Sequence, residues 1–362
     1  MFLTATIATI LVLLADYYLW KKFFRGRGWL SVAWWAPTVL MGLCILGAVS
    51  GLWHTFFMRA CYILVFVFFA PMLVFAAFHK LLGRRISLVL SASVLLICVY
   101  GMAIGFHKLT IVKEIIECET LPESFDGYRI VHLSDLHLGS YTKSSKFVGR
   151  VVDSVLALRP DLIVFTGDLV NTDAAEAEPF VKELSRLKAP DGVYAVSGNH
   201  DYGFDKSKVD EAFSQFCDIV NRAGWTILNN SNSVIRHGAD SIYVLGVENT
   251  SKSFFISRGD LGKALEGTQD GDFKILLTHD PNHWRAEVLP ATDIALTLSG
   301  HTHAMQLKVF GLSPAALIFK EWSGKYTSED GRSLYVSEGI GGIFPFRLGS
   351  YPQIAELTLK KK

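Results

Sequence analysis

The run Tyr128-Arg-Ile-Val-His-Leu-Ser-Asp-Leu-His137 decides how the second half of this chain is read. Its apolar, β-branched residues predict a strand through Ser134. Residues two apart on a strand extension point to the same side, so Asp135 and His137 can share one ion. Four further runs end in similar chemistry. Asp161-Leu-Ile-Val-Phe-Thr166 leads into Gly167-Asp168, where glycine lets the backbone turn sharply and present the carboxylate. Val193-Tyr-Ala-Val-Ser197 leads into Gly198-Asn199-His200-Asp201. Phe273-Lys-Ile-Leu-Leu-Thr278 ends at His279, and Ile294-Ala-Leu-Thr-Leu-Ser299 ends at Gly300-His301-Thr302-His303. Ligands of open α/β sheets gather beyond the carboxyl ends of the strands, so these side chains are expected to converge although they span about 170 positions. A lone Asp-x-His or Gly-Asp pair is usually a turn with a satisfied carboxylate. An ordered set of five is far less common by chance.

The remaining histidines of this half have blander readings. His132 lies on the opposite strand face from Asp135, which favours packing or a hydrogen bond over ligation. His283 follows His279 by four residues, a spacing that could pair them on a helix, but Pro281 argues against a continuous helix there. His283 is therefore expected outside the ligand set.

Working outward, the chain has 362 residues, 50% hydrophobic and only 19% charged. The charge is uneven. Residues 1–106 hold eight Lys/Arg and one acid, Asp16, which leaves 27 basic and 33 acidic residues in 107–362. A half with net charge −6 lacks the phosphate-binding footprint of a nucleic-acid binder, so no nucleic-acid partner is expected. Five cysteines without CxxC spacing specify neither a zinc ribbon nor a disulfide framework, leaving one bond between Cys118 and Cys217 open.

Residues 1–106 read as an all-α transmembrane domain with helices at about 3–20, 29–52, 58–79 and 86–106, each near the length that spans a hydrocarbon core of about 30 Å. Stretches such as Cys61-Tyr-Ile-Leu-Val-Phe-Val-Phe-Phe-Ala70 offer no polar face to water. The start Met-Phe-Leu-Thr lacks the basic n-region of a cleavable signal, so the first helix is expected to be retained. Asp16 stands beside Tyr17, Tyr18 and Trp20, an aromatic cluster suited to the headgroup level. Loop one carries Lys21, Lys22, Arg25 and Arg27, loop three carries Lys80, Arg84 and Arg85, and loop two only Arg59. By the positive-inside rule, loops one and three are cytoplasmic, and everything after residue 106 lies on the outer side. Residues 107–120 are expected as a linker and 121–362 as the second domain.

Taken together, Asp135-x-His137, Gly167-Asp168, Gly198-Asn199-His200-Asp201, His279 and Gly300-His301-Thr302-His303 resemble the calcineurin-like metallophosphoesterase family over about 121–359. The lead-in Leu-Pro-x-x-Phe-Asp-Gly-Tyr at 121–128 resembles its membrane-associated bacterial branch. The resemblance implies a four-layer αββα sandwich holding two divalent metals. Asp135, His137, Asp168 and His303 would hold one, and Asp168, Asn199, His279 and His301 the other, with Asp168 bridging. His200 would face the phosphoryl group as general acid, with Asp201 able to orient its imidazole. Cysteine-free ligands fit Mn²⁺, Fe or Zn²⁺.

The chain departs from the commoner family form Gly-His-Thr-His-Gly-Gly-Gln, because Ala304-Met305 replaces two glycines before Gln306. The apolar Gly339–Phe346 loop is expected either under the sheet or toward lipid or an acyl chain. The implied function is a phosphoester or pyrophosphate hydrolase anchored in the bacterial inner membrane. Its substrate would be an envelope lipid, a lipid-linked nucleotide sugar or a similar phosphodiester. The alternative is a non-catalytic membrane receptor or scaffold that keeps the metal-binding fold; intact His200 weighs against it.

Overall fold

The computed structural model describes residues 2–50, 54–141, 146–251 and 256–362. The chain divides into two units, Met1–Gly105 with Phe344–Phe346, and Phe106–Ile343 with Arg347–Lys362.

In the second unit the described strands are β1 (Thr110–Cys118), β2 (Arg129–Leu133), β3 (Leu162–Thr166), β4 (Val193–Val196), β5 (Thr226–Ile227), β6 (Ser231–His237), β7 (Asp240–Gly246), β8 (Phe273–Leu277), β9 (Leu296–Ser299), β10 (Gly324–Thr327), β11 (Ser333–Val336) and β12 (Gln353–Lys361). They form two six-stranded sheets, ordered β1-β12-β2-β3-β4-β5 and β10-β11-β9-β8-β7-β6. Both are mixed. The runs β2-β3-β4 and β8-β9 are parallel, so their carboxyl ends face the same way within each sheet.

The period of two in these strands sorts side chains into separate cores. On β3, Leu162 and Val164 enter a cluster shared with Ile275, Leu277, Leu296 and Leu298 of the other sheet. Ile163 and Phe165 face the opposite way, into a core with Val151 and Val155 of helix Lys146–Ala157 and Ile219 of helix Val209–Arg222. Leu276, Leu334 and Val336 meet Trp284 and Val288 on the second sheet's other face. Truncating one such leucine to alanine costs about 2–5 kcal/mol. Because both faces are covered, the central strands read as continuous apolar runs.

Residues 107–120 are not a linker. Thr110–Cys118 is an edge strand, parallel to β12 from Thr110↔Gln353 to Cys118↔Lys361. Its alternating Thr-Ile-Val-Lys-Glu-Ile-Ile-Glu-Cys pattern buries only Ile116 and Cys118, as a half-covered edge requires. Cys118 and Cys217 are free thiols. The Gly339–Phe346 loop splits, with Ile340 fully buried against the strand core and Phe344–Phe346 grouped with the N-terminal unit.

The N-terminal unit is helical: Phe2–Leu19, Trp29–Ala33, Ala36–Val49, His54–Leu64 and Ala70–Ala103. Two described stretches are long and apolar enough to cross a bilayer, Trp29–Val49 and Phe56–His107, where four were expected. The longer stretch contains both expected helices, 58–79 and 86–106. At 52 residues it would be about 78 Å long if straight, more than twice a hydrocarbon core. Gly83 divides it by leaving the helical conformation (φ 75°, ψ 169°). A widened turn at Val65–Phe69 precedes Pro71, whose missing N–H and ring crowd the preceding turn.

Candidate metal centre

The first sheet brings Asp135 and His137 from the end of β2, Asp168 from β3, and Asn199 and His200 from β4. The second brings His279 from β8, and His301 and His303 from β9. Asp135, His137, Asp168 and His303 offer donor atoms that all lie within 4.8 Å of one another, and so do those of Asp168, His279 and His301. Asp168 is common to both groups. Its Oδ2 lies 3.6 Å from His137 Nε2 and 3.2 Å from His279 Nε2. His303 Nε2 lies 3.1 Å from Asp135 Oδ1, and Asn199 Oδ1 stands 3.1 Å from His279 Nε2, beside the second group.

The imidazoles are aimed by what holds their other nitrogens. His279 Nδ1 is 2.7 Å from the Thr166 carbonyl, and His137 Nδ1 is 3.1 Å from Asn171 Oδ1. Each contact places a proton on Nδ1 and turns Nε2 toward the cluster, the nitrogen through which such a histidine ligates a metal. Burial disfavours charge on His279, yet the Asp168 carboxylate outweighs it and pushes its pKa up to about 10. Burial drives His137 the other way, to about 3. Burial also opposes ionisation of Asp168, but the histidines around it, His279 first, hold its carboxyl well below the usual range. Two ionised carboxylates facing ring nitrogens make a pocket that favours positive charge, which without a metal is a proton on His279. Oxygen and imidazole donors, without cysteine, suit a divalent cation.

Close backbone approach is built in. A Cβ at Gly300 would collide with the Ser134 hydroxyl and the Asp135 carboxylate, and one at Gly167 with the backbone of Gly198. Asp135, His137, Asp168, His301 and His303 all adopt left-handed backbone conformations, with φ between 45° and 71°. Such conformations cost energy in non-glycine residues and cluster where geometry is functional. Ala304 and Met305, at the two glycine positions of the commoner form, are also left-handed, with φ 48° and 47°. Both positions therefore carry left-handed strain that glycine would not.

His200 stands at the rim, its ring centroid 5.0 Å from that of His137. Its Nδ1 is 2.6 Å from the Asn171 carbonyl oxygen, which fixes the plane of the ring. Asp201 does not orient this imidazole as expected. Its carboxylate accepts hydrogen bonds from the backbone N–H groups of Gly198, Asp168 and Leu169 at 2.8–2.9 Å, tying the β3 and β4 loops together. Burial, with the Asp168 charge, pushes its pKa up to about 7 against the pull of those amides. The short Gly198–Asp201 turn aims the carboxylate back at the main chain.

His132 bonds the Thr166 hydroxyl at 2.8 Å, and His283 Nδ1 bonds that of Thr278 at 3.1 Å, so both lie outside the ligand groups. Sequence reasoning missed Asn171, whose side chain holds His137 and whose carbonyl holds His200. Its signal was a polar residue three positions after Asp168, at the end of Gly-Asp-Leu-Val-Asn. It also missed Arg347, fully buried, with Nη2 3.3 Å from His303 Nδ1 and Nε donating to the Gly341 carbonyl. Beyond His303 the surface turns apolar. Phe310 is wholly exposed at a tight turn between Val309 and Leu312, with Leu317 and Ile318 also exposed. Phe319 of this segment meets the His301 ring edge-on at 5.7 Å.

Comparison with known proteins agrees with this geometry. Residues 128–305 match the calcineurin-like phosphoesterase family. The chain is 33% identical over 275 residues to a Danio rerio protein named transmembrane protein with metallophosphoesterase domain, covering 73% of this chain and 60% of that protein. A Bos taurus protein of the same name is 36% identical over 255 residues, covering 66% and 54%. The Bacillus subtilis metallophosphoesterase YkuE is 30% identical over 271 residues, covering 72% of this chain and 89% of that one. The chain thus spans little more than half the length of the vertebrate relatives.

Proposed function

From its membership of the calcineurin-like phosphoesterase family, we propose that this chain is a membrane-anchored, metal-dependent hydrolase of phosphoester or pyrophosphate bonds. The observation that carries the reading is the pair of donor groups sharing Asp168. Asp135, His137, Asp168 and His303 would hold one divalent ion, and Asp168, Asn199, His279 and His301 a second, with Mn²⁺, Fe and Zn²⁺ all matching the donors. Bound there, such ions supply Lewis-acid charge to phosphate oxygens and lower the pKa of an attacking water for in-line displacement at phosphorus. The chain's own residues do the rest. Asn171 and Thr166 fix the imidazoles, Asp201 braces the loops, and His200, when both its ring nitrogens carry protons, passes the one on Nε2 to the leaving oxygen while Nδ1–H stays on the Asn171 carbonyl.

Exposed Phe310, Leu312, Leu317 and Ile318, on the segment whose Phe319 meets His301, support an amphiphilic substrate, such as an envelope phospholipid or lipid-linked pyrophosphate. The apolar N-terminal unit supports anchoring. Four crossings, with the break at Gly83 between the last two, would put the basic loops on the cytoplasmic side of a bacterial inner membrane and the metal centre outside.

Purified full-length protein loaded with Mn²⁺ is expected to hydrolyse a lipid phosphodiester or pyrophosphate faster than a water-soluble diester. Full metal occupancy with no turnover of any phosphoester, under Mn²⁺, Fe²⁺ or Zn²⁺, would favour the receptor or scaffold instead.

A further inference from the structure

The cations of the N-terminal unit have no acid of their own to meet. Its one acid, Asp16, is fully buried and accepts a hydrogen bond on Oδ2 from the Thr38 hydroxyl. The cations nevertheless gather on aromatic rings. Lys22 Nζ and Arg84 Cζ stand 5.6 and 6.0 Å from the Phe23 ring centre. Lys22 Nζ and Lys80 Nζ stand 5.7 and 5.3 Å from that of Tyr18. Among the described residues of this unit, no carboxylate neutralises Arg27 or Arg84.

Both arginines line a cavity of about 440 Å³ whose remaining wall is apolar, with Phe24, Phe68, Met72 and Leu88 among its residues. The other polar groups on that wall are already committed. Ser91 Oγ donates to the Pro71 carbonyl at 2.8 Å, and Trp34 Nε1 donates to the Asp16 carbonyl at 3.2 Å. What the cavity offers a ligand is therefore two guanidinium groups and an apolar wall. A nucleotide base or a sugar would leave its own polar groups unpaired there. Guanidinium forks match phosphate oxygens in geometry as well as charge. The volume falls within the ordinary range of small-molecule sites, about 300–1,000 Å³, and encloses part of a lipid rather than a whole two-chain molecule.

We propose that this cavity is a binding site for an anionic phospholipid, with the headgroup phosphate on Arg27 and Arg84 and part of one acyl chain along Phe68, Met72 and Leu88. The site belongs to the N-terminal unit alone and does not depend on the metal centre or on any hydrolysis. It makes lipid charge a determinant of how the helices around Gly83 are held.

The test uses the full-length protein in a non-ionic detergent, equilibrated with equal phosphatidylglycerol and phosphatidylcholine and examined by native mass spectrometry. Phosphatidylglycerol is expected to be retained at least about tenfold over the net-neutral lipid, one ion-pair's worth of discrimination. Arg27→Gln with Arg84→Gln should abolish that preference. Arg27→Lys with Arg84→Lys, which keeps both charges, should preserve most of it and shows that the unit still folds. Met72→Trp, which fills the cavity with both arginines intact, should lower retention. Equal retention of the two lipids by the parent protein would overturn the proposal, as would a preference that survives the double glutamine variant. Displacement of phosphatidylglycerol by millimolar inorganic phosphate would also overturn it, because the site would then be reading a bare anion.

Discussion

The two sheets contribute unlike halves to the metal centre. The first supplies both carboxylates, Asp135 and Asp168, the Asn199 amide, and the imidazoles of His137 and His200. The second supplies only imidazoles, His279, His301 and His303. Negative charge is therefore concentrated on one side, where backbone groups hold it: the His200 N–H donates to Asp168 Oδ1 at 2.8 Å. Across the gap, the His301 N–H donates to Asp135 Oδ2 at 3.1 Å, so one sheet's main chain helps position the other sheet's acid. Neither sheet carries a complete ligand set. The site exists because the shared core of Leu162, Val164, Ile275 and Leu296 holds the strand ends together.

The largest effect is expected where the halves touch most closely. Gly300→Ala puts a methyl group into the Ser134 hydroxyl and the Asp135 carboxylate. It should abolish stoichiometric metal binding and lower thermal stability, measured by elemental analysis and calorimetry; normal metal content would show that the approach is slack. His200→Ala, confined to the first sheet's rim, should keep bound metal while turnover falls at least about 10²-fold, the usual weight of general acid catalysis. Unchanged turnover would remove His200 from the chemistry.

Asn171→Ala is gentler, since the side-chain hydrogen bonds to His137 Nδ1 and the Ser140 hydroxyl are lost while the carbonyl that holds His200 stays. Metal affinity should fall about 10–100-fold in the group containing His137, with the other group unaffected, as titration of metal content would reveal. An equal loss in both would mean that the two halves are not separable. Smallest is Ala304→Gly with Met305→Gly. Relieving two left-handed residues should raise stability by about 1 kcal/mol, less than the full conformational cost because glycine loses more entropy on folding. A lower melting temperature would show that those side chains are needed.

Much of this candidate centre is legible in the sequence because each proposed ligand follows a strand whose apolar run is easy to read. Asp135, Asp168 and His279 announce themselves at strand ends. Asn171 and Arg347 do not, because their roles lie in tertiary contacts that no local spacing encodes. Adjacency in sequence pairs Asp201 with His200, whereas the tight turn sends its carboxylate into backbone amides. The left-handed ligand residues were equally hidden, since only glycine advertises that conformation. The edge strand Thr110–Cys118 is hidden despite its plain alternation, because its partner β12 lies some 240 positions away. In the helical unit, length and apolarity marked the stretches, but the break at Gly83 depends on one residue's φ.

Metal stoichiometry in paired variants tests the central claim most directly. Purified Asp168→Asn and His279→Ala proteins, loaded identically and checked for folding, are compared with the parent by elemental analysis. A shared carboxylate predicts that Asp168→Asn loses metal from both groups, while His279→Ala loses only the ion on its own side. Retention of one full equivalent by Asp168→Asn would contradict it.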